Sequence, residues 1–143
     1  MHVVLWTAAG HCYATRTEQV VEVIAPVQAR PVPEASTWLR GMINYRGQLV
    51  PLLDVPCLLG HHDWPLRMAS RILVVTIDDT ADHADRFAAL LVQSVLGGEE
   101  LDFASAAEMP YHSTPCGEFL GPVALTDGGA IQLTLPDRIV WEP

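Results

Sequence analysis

Short runs of β-branched and large apolar residues, cut at close spacing by Gly, Pro and polar clusters, set the pattern of this chain. Residues 3–6 and 11–15 read as strands on either side of a turn at Gly10. Val20-Val21-Glu22-Val23-Ile24 is a third strand, β-branched and apolar apart from Glu22. Pro26, Pro31 and Pro33 impose an irregular, extended segment, and residues 34–40 have the length of one helical turn, anchored by Trp38 and Leu39. Residues 42–45 and 49–53 make two apolar strands folded about Arg46-Gly47, where Gly47 supplies the positive φ of a tight hairpin. Asp54 then stands at a helix N-cap with Pro56 just inside, so a short helix through Cys57-Leu58-Leu59 is expected to stop at Gly60.

The second half repeats the style. A polar, Pro-bearing loop follows Gly60, residues 71–77 form a strong strand, and the four acids of residues 78–85 suit an exposed hairpin loop. Residues 87–95 read as one apolar strand closed by Gly97-Gly98, and residues 99–116 are the least regular stretch. Residues 119–125 and 130–135 form a hairpin about Asp127-Gly128-Gly129, with a last helical turn over residues 136–140. Short strands between Gly and Pro turns predict an all-β barrel or sandwich. A weak echo sharpens this: Val20 to Val23, then Gly41, a hairpin and a short helix, resembles Leu91 to Val95, then Gly121, a hairpin and a short final segment. Two similar small β units explain that echo.

Composition narrows the function. At 143 residues the chain has one domain's length, enough to bury a core without metals or disulfides. Its 8 basic residues against 17 acidic ones exclude the basic face that nucleic acid requires. No apolar run approaches the roughly 18 residues of a membrane span, so no direct membrane insertion is expected. Residues 1–6 lack the features of a signal peptide, which makes the cytoplasm the expected location.

Cys12, Cys57 and Cys116 are far apart and show no metal spacing. Cys57 with His61, His62 and Asp63 is the densest ligand-like group, yet it reads better as a polar loop. No phosphate loop, nucleophile elbow or paired catalytic acids occur, so no catalytic, cofactor or metal site is expected. Two charges stand out instead. Glu22 sits in an apolar strand, where a carboxylate needs a partner, and Arg46 sits at a turn that needs no cation.

The block Gly41-Met42-Ile43-Asn44-Tyr45-Arg46-Gly47, followed by Val50-Pro51-Leu52-Leu53-Asp54 and preceded by Val20-Val21-Glu22-Val23 and Val32-Pro33, resembles the CheW family of chemotaxis coupling proteins. The resemblance runs from Val3 to Val140. It implies an all-β fold of two small five-stranded SH3-like barrels, intertwined in a single CheW-like domain over residues 1–143 and sharing an apolar core. It also implies a non-enzymatic, cofactor-free adaptor. Such an adaptor joins the cytoplasmic tips of chemoreceptors to the regulatory domain of a CheA-type histidine kinase. The family's strand Glu falls on Glu22 and its hairpin Arg on Arg46, and both are associated there with partner binding. A purely structural ion pair is the other reading of these two residues. Met42, Asn44 and Tyr45 on the hairpin, with Val21 and Val23 on the strand face opposite Glu22, complete the candidate contact set.

The chain departs from the family at Ala89 and Gln93, and at Gln132 and Thr134 in a strand that is usually more apolar. Two other function classes remain beside the adaptor. One is a small-molecule or metal-sensing β-barrel using His61-His62-Asp63. The other is a thiol enzyme using Cys12, Cys57 or Cys116.

Overall fold

The structure, a computed structural model, describes residues 1–61, 64–77, 86–103 and 114–140. Ten strands, two 3-10 turns and one short helix follow in the order β1 (His2–Ala8), β2 (His11–Arg16), a 3-10 turn at Thr17–Gln19, β3 (Val20–Ile24), β4 (Leu39–Tyr45), β5 (Gln48–Asp54), α1 (Val55–Leu58), β6 (Arg71–Thr76), β7 (Phe87–Val92), β8 (Ser94–Glu100), β9 (Leu120–Thr126), β10 (Gly129–Thr134) and a 3-10 turn at Pro136–Arg138. They form two five-stranded sheets, β8-β1-β2-β10-β9 and β3-β6-β7-β5-β4.

The two sheets have the same wiring. Reading each order from its first strand, the pairings run antiparallel, antiparallel, parallel, antiparallel. Each first strand carries an extra residue at a register shift: Val21 between Val20 and Glu22 on β3, and Leu96 between Val95 and Gly97 on β8. Each parallel pair meets at an equivalent point, Leu53 beside Leu90 in one sheet and Thr134 beside Thr15 in the other. In chain order β3 to β7 correspond to β8, β9, β10, β1 and β2. The first sheet therefore repeats the second with its strands permuted. The hairpin half of the echo is the trace of this duplication, β4–β5 against β9–β10, whereas its strand half is offset, since Val95 of β8 stands where Val20 stands in β3 and Leu91 lies in β7.

The expected pair of five-stranded SH3-like units is present, but no backbone pairing joins β3 to β4 or β8 to β9 among the described residues. Each ladder thus stays open at one seam. Between the units lies a shared core in which Trp6 and Tyr13 of the first sheet pack with Leu53, Leu73, Leu90 and Phe119. Trp6 and Tyr13 stack with ring centroids 4.9 Å apart. A smaller cluster fills each unit, around Ile43, Val50 and Val74 in the second and Val3, Ala14 and Ile131 in the first.

Three local expectations are corrected. Residues 34–40 form successive turns closed by Ala35 N to Val32 O (3.2 Å) and Leu39 N to Ser36 O (3.1 Å), and β4 begins at Leu39. Glu34 has a φ of 60°, a left-handed conformation that interrupts any helical turn. Residues 87–95 are not one strand. The chain changes sheets at Gln93, whose backbone N–H donates to Thr7 O at 2.9 Å and whose side chain accepts from Gly10 N at 3.0 Å. Gly97 and Gly98 do not end a strand either. They lie inside β8, paired with Leu5 and Val4, and Gly97 takes a φ of 115° beside the bulge. The acidic loop of residues 78–85 and most of the irregular stretch of residues 99–116 lie outside the described residues.

Candidate functional site

The hairpin forms where the sequence places it. Arg46 and Gly47 both take positive φ, 51° and 82°, so the two-residue turn twists with its strands. Asn44 Oδ1 accepts the Gly47 N–H at 3.0 Å and braces that turn from outside. Gly41, with φ 141°, lies so close to the preceding segment that a Cβ there would sit 2.3 Å from Arg30 O. That approach lets Arg30 and Met42 exchange backbone hydrogen bonds of 2.8 and 2.9 Å, which cover part of the β4 edge. At the far end of β5, Asp54 caps α1 by accepting Cys57 N at 3.1 Å and also pairs with Arg40 at 2.9 Å.

Glu22 and Arg46 come together across the open seam of the second unit. The Tyr45 hydroxyl donates to Glu22 Oε2, and Arg46 Nη2 reaches the same oxygen at 3.3 Å. Arg46 also lies over the Tyr45 ring, 5.0 Å from its centroid, and Phe87 meets that ring edge-on at 5.9 Å. Burial, the bond to Glu22 and the Glu22 charge push the Tyr45 hydroxyl above its ordinary pKa, and the Arg46 cation opposes them. The side chains do here what the backbone does not: they clasp β3 to the end of β4. The equivalent corner of the first unit is built differently, since the Thr126 hydroxyl donates to Gly129 O within its own turn.

The seven candidate contact residues divide by position. Arg46, Asn44, Glu22 and Val23 are exposed, with the Arg46 and Glu22 side chains 64% and 43% accessible. Tyr45 is buried at 6%, while Met42 and Val21 are half-buried. Val21 and Val23 do not share a face opposite Glu22. Val21, the extra residue at the bulge, packs on the second unit's cluster together with Ile24, and Val23 is exposed alongside Glu22. The bulge breaks the two-residue alternation on which the expectation rested.

An apolar depression of about 400 Å³ in the second unit was not foreseen from the sequence. Val27, Ala29, Leu52, Leu66 and Leu91 line it, and Val27 and Leu66 are half exposed. Its residues come from segments far apart in sequence, which no local pattern connects. Trp38 and Leu39, the expected anchors of residues 34–40, are partly buried and pack on the shared core.

The other candidate chemistries gain no geometry. His61 meets Trp64 edge-on at 6.5 Å, while His62 and Asp63 lie outside the described residues. Among the described residues no three His, Cys, Asp or Glu side chains gather as a metal site would require. Burial pushes the Cys116 thiol up to about 12 and raises Cys12 as well, which opposes thiolate formation. Cys57 Sγ lies 3.5 Å from Thr37 Oγ1. No helix among the described residues is long and apolar enough to cross a membrane.

The departures from the family pattern each have local partners. Gln93 holds Gly10, and Gln132 Nε2 donates to Gly121 O at 3.0 Å. Thr134 is fully buried and hydrogen-bonded, and Ala89 is fully buried in the second unit's cluster.

Comparison with known proteins gives consistent matches. A family model described as a CheW-like domain matches residues 2–140. Protein PilI of Pseudomonas aeruginosa is 35% identical over 88 residues, which cover 62% of this chain and 46% of PilI, less than half of that relative's length. The crystal structure of the scaffolding protein TtCheW from Thermoanaerobacter tengcongensis superposes with a TM-score of 0.78. It shares 25% sequence identity and covers 93% of this chain and 87% of its own.

Proposed function

This chain belongs to the CheW-like domain family, and from that premise we propose that it is a non-catalytic adaptor of chemosensory signalling. It joins the cytoplasmic tip of a chemoreceptor to the regulatory domain of a CheA-type histidine kinase, as a single domain over residues 1–143 in the cytoplasm. The likeness to a scaffolding protein over most of the chain carries this reading. The acidic balance of the sequence supports protein partners over nucleic acid.

We place the contact surface around the seam of the second unit. Glu22, Arg46, Asn44 and Val23 offer exposed side chains there, with Tyr45, Met42 and Val21 behind them. An exposed ion pair contributes under about 1 kcal/mol to stability, so folding alone gives little reason for it. Titration calorimetry of the purified chain against a receptor-tip fragment, and separately against a kinase regulatory domain, tests the reading. Saturable binding to either supports it, and binding to neither overturns it.

A further inference from the structure

The duplication carries through to the cavities. Leu91 of β7 and Arg16 of β2 hold equivalent positions, each one residue beyond the point where its parallel pair meets, at Leu90 and at Thr15. The antiparallel neighbours agree, since Ile72 faces Leu91 as Val3 faces Arg16. On the outer strands Ile24 faces Ile72 as Glu99 faces Val3, so Pro26, Val27 and Gln28 match Leu101, Asp102 and Phe103. The depression of the second unit, lined by these first three residues with Leu52 and Leu91, therefore has a counterpart in the first unit. That counterpart is an open cavity of about 740 Å³ lined by Arg16, Leu101, Phe103, Pro122 and Leu133. Glu100 at the end of β8 and Pro122 of β9 both border it, which places it at the unpaired seam.

The two cavities differ where Arg16 stands in place of Leu91. Leu91 is 6% exposed and belongs to the second unit's cluster. Arg16 comes two residues after the buried Ala14, on the interior face of β2, and is half-buried. Its Nε is buried without a hydrogen-bond partner, and no ion pair joins Arg16 to a described residue. An arginine that merely covers apolar surface with its stem keeps its charged head in water, and this Nε is out of reach of water. A buried donor without an acceptor is costly, and a carboxylate is the acceptor that a guanidinium fork fits. Glu100 and Asp102 stand exposed at the rim, where they repel multiply charged anions. One cation among apolar walls suits a single negative charge on an apolar body.

We propose that this cavity binds a small apolar monocarboxylate, with Arg16 recognising the carboxylate and Leu101, Phe103 and Leu133 receiving the apolar body. The site lies in the other unit from the proposed partner surface and requires neither receptor nor kinase.

The test is calorimetric titration of phenylacetate into the purified wild type, Arg16→Leu and Arg16→Lys chains, with thermal melts of each. Phenylacetamide serves as the uncharged analogue and inorganic phosphate as an anion without an apolar body. The wild type is expected to bind phenylacetate saturably in the millimolar range or tighter, and the amide and phosphate at least tenfold more weakly. Arg16→Leu should melt no lower than the wild type, because a leucine already holds this position in the other unit, and should lose phenylacetate binding tenfold or more. Arg16→Lys keeps the charge but not the planar fork, so it binds several-fold more weakly. Should Arg16→Leu fail to fold, the lysine variant and the amide decide. No saturation in the wild type, binding by Arg16→Leu within twofold of it, binding by Arg16→Lys as tight as the wild type's, or an amide that matches the acid overturns the site. None of these results touches the adaptor reading, which is decided by partner binding alone.

Discussion

Thr15 and Thr134 face each other across the parallel pair β2 and β10 with their hydroxyl oxygens 2.8 Å apart, at the point where the other sheet sets Leu90 beside Leu53. Thr134 donates to Ala14 O at 2.9 Å, which leaves its oxygen to accept from Thr15. Thr15 in turn accepts the Trp6 indole N–H at 2.9 Å. Both threonines are fully buried. One half of the duplicated fold thus joins its hairpins by a polar chain and the other by apolar packing. Thr134→Val is expected to cost about 1 kcal/mol, and Thr15→Val more, about 1–3 kcal/mol, because it orphans the buried indole N–H. Urea unfolding of both variants checks the order.

Gly41→Ala is expected to be among the most damaging single changes, at about 2–4 kcal/mol. The φ of 141° disfavours any Cβ, and that Cβ would lie 2.3 Å from Arg30 O and 2.7 Å from Arg30 C. Both obstacles are backbone, so no side chain can swing away. A fall in Tm of less than 3 °C would show that the segment over β4 is free to move.

Asp54 combines two roles in one carboxylate, capping α1 through Oδ1 and holding Arg40 through Oδ2. Asp54→Ala is expected to destabilise by about 1–2 kcal/mol, most of it from the cap, since the ion pair is partly exposed. Asp54→Asn keeps a capping oxygen and should lose under about 1 kcal/mol. Thermal melts of the two variants separate the contributions.

These elements also mark what the sequence made legible. The Arg46-Gly47 turn, the Asp54 cap and the stop at Gly60 depend on neighbours within a few residues, so local chemistry specifies them. The Glu22–Arg46 pair was legible because each charge was out of place in its own segment. The part played by the Tyr45 hydroxyl was not, because it needs β3 and β4, the two ends of one sheet, to curl together. Nor was the change of sheet at Gln93. Phe87 to Val95 is uniformly apolar up to Gln93, and only the distant partners Thr7 and Gly10 divide it. The bulge at Val21 likewise reflects its pairing with β6, which alternation along β3 does not reveal.

Alkaline pH should loosen the shared core through Cys116. Its thiol is fully buried and pushed by desolvation from an ordinary 9.0 up to about 12. Between those values the unfolded chain holds fewer protons than the folded one, so stability falls as pH rises, by at most about 1.4 kcal/mol per pH unit. Below pH 9 this group contributes no pH dependence. Cys116→Ala, compared with the wild type in unfolding titrations from pH 8 to about 11, should show the shallower decline. Identical slopes would rule out this thiol as a source.

The permuted strand order also imposes a schedule on folding. The second sheet is drawn from one unbroken stretch, β3 through β7, whereas the first needs β8, β9 and β10 to return to β1 and β2. The Thr15–Thr134 contact alone spans 119 residues. Closing so long a loop is entropically slow, and it becomes easier once the intervening unit is compact and holds the ends near each other. On a ribosome the β1–β2 hairpin emerges before the β8, β9 and β10 strands that complete its sheet, so its pairing with β10 has to wait for them. Pulsed hydrogen exchange during refolding would then protect the amides of β5, β6 and β7 before those joining β2 to β10.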